Sequence, residues 1–182
     1  ANTYPITASS CSEGTLIPNL LAAGVTDLAS NPNALTAGLT ITIDRTVGAT
    51  PSTPDLDAAS DTGALSTDDI TNDTTPTFSG TAEAGATVQL QVAGVNSGSA
   101  VTATGGNWTA TTATLTGGSK VVTAVTTDAA GNVSAPSSSI TITLDTTAPT
   151  ITLASVTTNP TAANPIPVTA TFSEAVTGFT VG

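Results

Sequence analysis

The sequence contains no histidine and no methionine, one cysteine, one tryptophan and only two cationic side chains, Arg45 and Lys120. Each scarcity excludes a class of function. Two cations against 13 Asp and Glu give a net charge of −11, so no positive surface exists to neutralise nucleic-acid phosphates or anionic lipid. Without His, and with one Cys and one Lys, the common general bases, activated nucleophiles and nitrogen ligands for zinc are missing or present once. Cys11 allows no intramolecular disulfide, and with no cation near it in sequence it reads as a small half-buried residue rather than a reactive thiol. No apolar run is long enough to cross a bilayer, and no signal-peptide pattern opens the chain. A start at Ala1 points to processing or to excision from something longer.

What is present points to strands. Charged residues make up 8% and hydrophobic residues 38%, so the low charge does not signify disorder. Threonine supplies about a fifth of the chain, and its branched β-carbon suits pleated backbone. Gly (16) and Pro (11) provide frequent turns, and an all-β fold follows. With aromatics at 3%, the cores must be built of Val, Ile, Leu and Ala. Such thin cores often need a metal or a partner.

The chain also repeats itself. Residues 25–46, VTDLASNPNALTAGLTITIDRT, align without gaps on residues 126–147, TTDAAGNVSAPSSSITITLDTT, which places Asp27 on Asp128, Asn31 on Asn132, Ile41 on Ile142 and Asp44 on Asp145. The offset of 101 is the size of one immunoglobulin-like sandwich. Both copies end in an alternating strand and an Asp, followed by a Thr- or Pro-rich linker. The sequence therefore divides into the closing half of one domain (1–46), a complete domain (47–147) and the opening half of another (148–182). This predicts tandem Ig-like β-sandwiches, one complete and two partial, with strands over 75–82, 87–93, 100–104, 107–115 and 120–127 in the middle unit. Trp108, at the start of one of these strands and without flanking aromatics, reads as a packing residue.

Aspartate carries the chemistry. Six of the ten Asp, namely Asp55, Asp57, Asp61, Asp68, Asp69 and Asp73, fall in one 19-residue segment. Asp55 and Asp57 are two apart and would point the same way on an extended strand. Six like charges in so little chain repel unless a divalent ion sits among them, and calcium suits an all-oxygen ligand set. The spacing matches neither an EF-hand loop nor the glycine-rich nonapeptide repeat. Sandwich topology places Asp145 at the same pole as the 61–73 loop. It places Asp128 and Asn132 at the opposite pole, beside the incoming Asp44 and near Asp55. With Asp27, the equivalent of Asp128, these residues form the candidate metal ligands, several ions being expected at loops and interdomain junctions.

The motifs DTG at 61–63, DDITND at 68–73, TPTFSGTAEAGATVQL at 75–90, GGNW at 105–108, TDAAGNVS at 127–134 and LDTTAP at 144–149 resemble the bacterial Ig-like repeats of giant surface adhesins and biofilm-associated proteins. The tail, FSEAVTGFTVG at 172–182, is similar to the opening of a second repeat type in such proteins, and VTDLASNPN at 25–33 to its closing half. The resemblance implies a secreted, calcium-rigidified extracellular stalk without enzymatic activity. Departing from the pattern, the second repeat type is split and Cys11 is unusual. The split fits either a window on a long array or subunits that assemble head to tail, each tail completed by another copy's head. A ligand-binding module is the alternative function, recognising glycan or ice through Thr109, Thr111, Thr112 and Thr114, although the alternation breaks at Thr111–Thr112 and Thr is ordinary in exposed strands. An enzyme ranks last, because no paired acid and base can be named.

Overall fold

Stiff β-branched side chains alternating with polar ones favour extended backbone. The computed structural model describes residues 7–18, 25–33, 39–159 and 162–180, and its regular elements among these are all strands. In chain order they are β1 (Gly14–Leu16), β2 (Ile41–Ile43), β3 (Asp55–Leu56), β4 (Ile70–Thr71), β5 (Thr77–Thr81), β6 (Thr87–Val92), β7 (Val95–Asn96), β8 (Val101–Thr102), β9 (Asn107–Thr111), β10 (Gly118–Thr127), β11 (Ile140–Leu144), β12 (Ile151–Ala154) and β13 (Thr169–Phe172). Sequence reasoning misses the short β1, β4 and β7. β7 lies inside the stretch expected to be a turn at 94–98, where two residues are too few to show a period.

Two sheets enclose the main core. One runs β4, β11, β10, β6, β7, with β8 also pairing to β6, and the other runs β3, β5, β9. Alternation explains the faces: β6 buries Val88 and Leu90 while Gln89 and Gln91 stay half-buried, and β9 buries Trp108 and Ala110 while Thr109 and Thr111 face solvent. Leu56, Phe78 and Trp108 thus share one cluster with Val88, Leu90, Val122 and Ile142. Each such large aliphatic or aromatic side chain removed from water contributes roughly 1.5–3 kcal/mol. Two glycines make the close packing possible. A Cβ on Gly80 would lie 2.5 Å from the Trp108 ring, its cross-strand partner, and one on Gly98, at φ +71°, would lie 1.9 Å from the Thr111 carbonyl oxygen.

The first strand is divided between the sheets. β3 pairs antiparallel with β5, setting Leu56 opposite Phe78, whereas β4 pairs parallel with β11, setting Ile70 opposite Thr143. Residues 57–69, most of the acidic segment, are the crossover between them. Asp55 lies in β3, but Asp57 does not continue the strand: its carbonyl accepts the amides of Ser60 and Asp61 in a turn. The Asp57 amide still donates to the Thr77 carbonyl of β5 at 2.9 Å, and Asp55 and Asp57 line the same cleft, although the chain turns immediately after.

Each flank holds a hairpin. β1 pairs with β2 in the manner of β10 with β11, Gly14 opposite Ile43 matching Gly118 opposite Leu144. β12 pairs with β13, and Phe172 meets Phe179 edge-on at 5.1 Å. Ile17, Leu39, Ile151, Leu153 and Val168 are exposed on these hairpins and the segments beside them.

Candidate functional site

Seven of the ten aspartates share one local geometry. Asp27, Asp44, Asp57, Asp68, Asp73, Asp128 and Asp145 each accept the backbone N–H two residues ahead on a side-chain oxygen, at 2.8–3.2 Å. This is the Asx turn, in which a short carboxylate replaces a carbonyl in reversing the chain. A sequence of Thr-rich strands and short connections needs many such reversals, and Asp supplies them.

The repeat holds at the level of atoms. Asp128 accepts Ala130 and Asn132 amides on Oδ1 and the Asn132 side-chain amide on Oδ2; Asp27 accepts Ala29, Asn31 and the Asn31 side-chain amide identically. The residue before the Asn is left-handed in both, Gly131 at φ +93° and Ser30 at φ +65°. Positions 34–38 of the first copy lie outside the described residues. Hydrogen bonds from Asn132 and Asn31, side chain first and backbone second, hold both carboxyls below the usual carboxylate range. Asp27, Asp128 and Asn132 thus have a turn-forming task that accounts for their pattern.

The three remaining aspartates, Asp55, Asp61 and Asp69, line one cleft of about 520 Å3 at the crossover, together with Asp57, Ser66 and Ser79. Asp61 is 6% exposed; its Oδ2 accepts the Asp69 amide at 3.3 Å, and its buried Oδ1 has no partner. Asp69 takes the left-handed conformation, φ +58°, and its carbonyl accepts the Thr143 amide at 2.8 Å, so the residue is fixed to β11. Burial pushes the Asp69 carboxyl above its ordinary value, and the charges of Asp61, Asp55 and Asp68 push it the same way. Beneath the crossover, buried Thr71 donates to the Ser60 carbonyl and accepts the Asp73 amide, while the Ser60 hydroxyl donates to Asp73 at 2.9 Å.

The donors gathered here are all oxygen, the type a hard cation takes. A buried carboxylate oxygen without a donor, beside a second carboxylate disfavoured as an anion, is the chemistry calcium relieves. Among the described residues no three acidic or thiol side chains converge closely enough to form a ready cage. Two carboxylates, with backbone oxygens and water completing the shell, are the donor set the cleft offers. Asp68 is less available, since both its oxygens accept backbone amides, from Ile70 and Leu65.

The junctions take the remaining candidates. Asn132 donates to the Asp44 carbonyl at 3.2 Å, linking the main sandwich to the preceding segment, while Thr126 donates to the Ala49 carbonyl at 3.1 Å and fixes the start of the sandwich itself. Asp55, expected near that contact, lies in the crossover cleft instead. At the other pole the Asp145 amide donates to Thr71, and Asp145 shares a cleft of about 510 Å3 with Asn72 and Glu174. Glu174, which lies in the FSEAVTGFTVG motif but is not among the candidate ligands, holds a buried Oε1 without a partner. The proposed threonine array is interrupted, because Thr112 is buried and donates to the Pro76 carbonyl. Cys11 is half-buried.

A family model described as bacterial Ig-like domain matches residues 48–146, more than half of the chain. No curated protein matches the sequence. Among the described residues no helix is long and apolar enough to cross a membrane.

Proposed function

The chain belongs to the bacterial Ig-like domain family, and on that premise we propose that it is a non-enzymatic structural protein of the bacterial exterior. Membership supports a surface or extracellular, adhesin-like role. In this reading the chain is a stretch of tandem modules, divided at 1–46, 47–147 and 148–182, forming the stalk or filament of an adhesin, fibre or biofilm matrix. The observation that carries it is the second copy of the Asp128 turn, reproduced bond for bond 101 residues earlier. One module repeated through a short linker makes length its product.

Rigidity is the second requirement of a stalk, since contacts between modules are small and leave them mobile by default. The hydrogen bond from Asn132 to the Asp44 carbonyl supplies part of it. Calcium at the acidic clefts, including the one shared by Asn72, Asp145 and Glu174, supplies the rest. The exposed apolar residues of the β1–β2 and β12–β13 hairpins are covered by strands of neighbouring repeats or by other copies, head to tail. Small-angle scattering with and without chelator tests the proposal. A longer, stiffer particle in calcium is expected, and identical profiles would overturn the calcium-stiffened stalk.

A further inference from the structure

Resting on the stalk reading above, and going beyond it to name one partner and its contacts, we infer that the two flanking hairpins are docking surfaces for each other, so that the tail of one copy of this chain takes the head of a second. The β12–β13 face of one copy receives the β1–β2 face of the next, and Asn31 of the incoming head donates its side-chain amide to the Asp145 carbonyl. The joint is made by side chains and one clip, and it needs no metal ion.

The main sandwich is the template. There the β3–β5 pair and the β10–β11 pair lie in opposite sheets and bury Leu56 and Phe78 in one cluster with Val122 and Ile142. The tail repeats the first pair: Ile151 stands opposite Phe172 as Leu56 stands opposite Phe78. The head repeats the second: Ile41 and Ile43 hold the places of Ile142 and Leu144. The chain thus carries the two opposing walls of a further core on separate hairpins. Ile142 is fully buried whereas Ile41 is 41% exposed, and Leu56 is 5% exposed whereas Ile151 is 52%. Direct pairing and strand alternation set Leu16, Ile41 and Ile43 on one face of the head, and Ile151, Leu153 and Phe172 on one face of the tail.

The direction of docking follows from a separate contact. Asn132 reaches out of its own turn to the Asp44 carbonyl, just past β2. The offset of 101 converts that donor to Asn31, in the head, and that acceptor to Asp145, at the exit of the main sandwich. Asn31 is held ready by the same bonds to Asp27 that hold Asn132 to Asp128. Space for the turn exists beside Asp145, in the cleft of about 510 Å3 where Glu174 has a buried oxygen without a partner. Glu174 follows β13 as Glu83 follows β5, and Glu83 shares its cleft with Asp128 of the main sandwich's own turn. Because head and tail are different surfaces, the contact is heterologous and does not close, and a third copy adds to the second.

Sedimentation velocity of the full chain in chelator tests the joint. For so small an apolar contact a Kd on the order of 10 µM is expected, seen as a ladder of dimers and longer species that grows with concentration. Copies of net charge −11 repel, so added salt should strengthen the association. Ile41→Asp blocks the head and Ile151→Asp blocks the tail. Each variant alone should stay monomeric where the parent associates, with thermal unfolding followed by Trp108 fluorescence unchanged, since the main sandwich is untouched. Mixed, the two should form a one-to-one dimer and grow no further, because one still offers a tail and the other a head. A parent that stays monomeric up to about 1 mM, a hundred times that Kd, would overturn the pairing. So would association that persists in either variant alone. Neither result touches the stalk reading, whose stiffening in calcium is measured on the single particle.

Discussion

The 126–134 turn and the 57–69 crossover use the same residue to opposite ends. In the turn, Asp128 receives three hydrogen bonds, from the Ala130 and Asn132 amides and the Asn132 side chain, and its carboxyl is held low. In the crossover, burial and three neighbouring carboxylates push Asp69 high, and one oxygen of Asp61 is left without a donor. The turn is complete as folded, whereas the crossover carries negative charge its own groups do not satisfy. The density of aspartate is therefore a poor guide to a binding site. The donors around each carboxylate decide whether it builds the chain or awaits a ligand.

Substitutions can break this contrast. The largest effect is expected at Thr71, which supports the crossover from below. Thr71→Val leaves the Ser60 carbonyl and the Asp73 amide unpaired and should cost roughly 2 kcal/mol in urea unfolding. Asp128→Ala removes the acceptor of the turn and should lower the melting temperature by a smaller amount without changing the response to calcium. Gly131→Ser should cost only about 1 kcal/mol, because a left-handed non-glycine residue is tolerated at that price, and Ser30 already holds the equivalent position. Asp69→Asn, the smallest and of opposite sign, should stabilise the metal-free protein.

The pH dependence separates the two regions further. Asp128 has a lowered pKa in the fold, so it contributes stability above the unfolded value, lost as pH falls through its folded pKa. Asp69 has a raised pKa, so its contribution is full below the unfolded value and disappears as pH rises through the folded one. Acid unfolding of Asp128→Asn should therefore begin from a lower plateau at neutral pH. Asp69→Asn should lack the decline that the parent shows as pH climbs through the carboxylate range in chelator.

Much of the fold was legible because its signals are local and repeated. Alternation around Leu90 and Ile142 gave the central strands, and the pair Asp27 and Asp128 gave the repeat. The crossover was not, because β3 and β4 are two residues each and their partners, Phe78 and Thr143, are remote in sequence. Grouping all six aspartates of residues 55–73 overlooked that Asp57, Asp68 and Asp73 turn the chain. Burial of Asp61 depends on the packing of two sheets, and no local pattern reports it.

The direct test is a carbon-13 NMR titration of the aspartate side-chain carboxyls, in chelator and in calcium. In chelator, Asp69 should titrate above the ordinary carboxylate value and Asp128 below it. In calcium, Asp69 should fall while Asp128 stays where it was. Coincident titration of the two carboxyls in chelator, or a calcium shift confined to Asp128, would contradict the account.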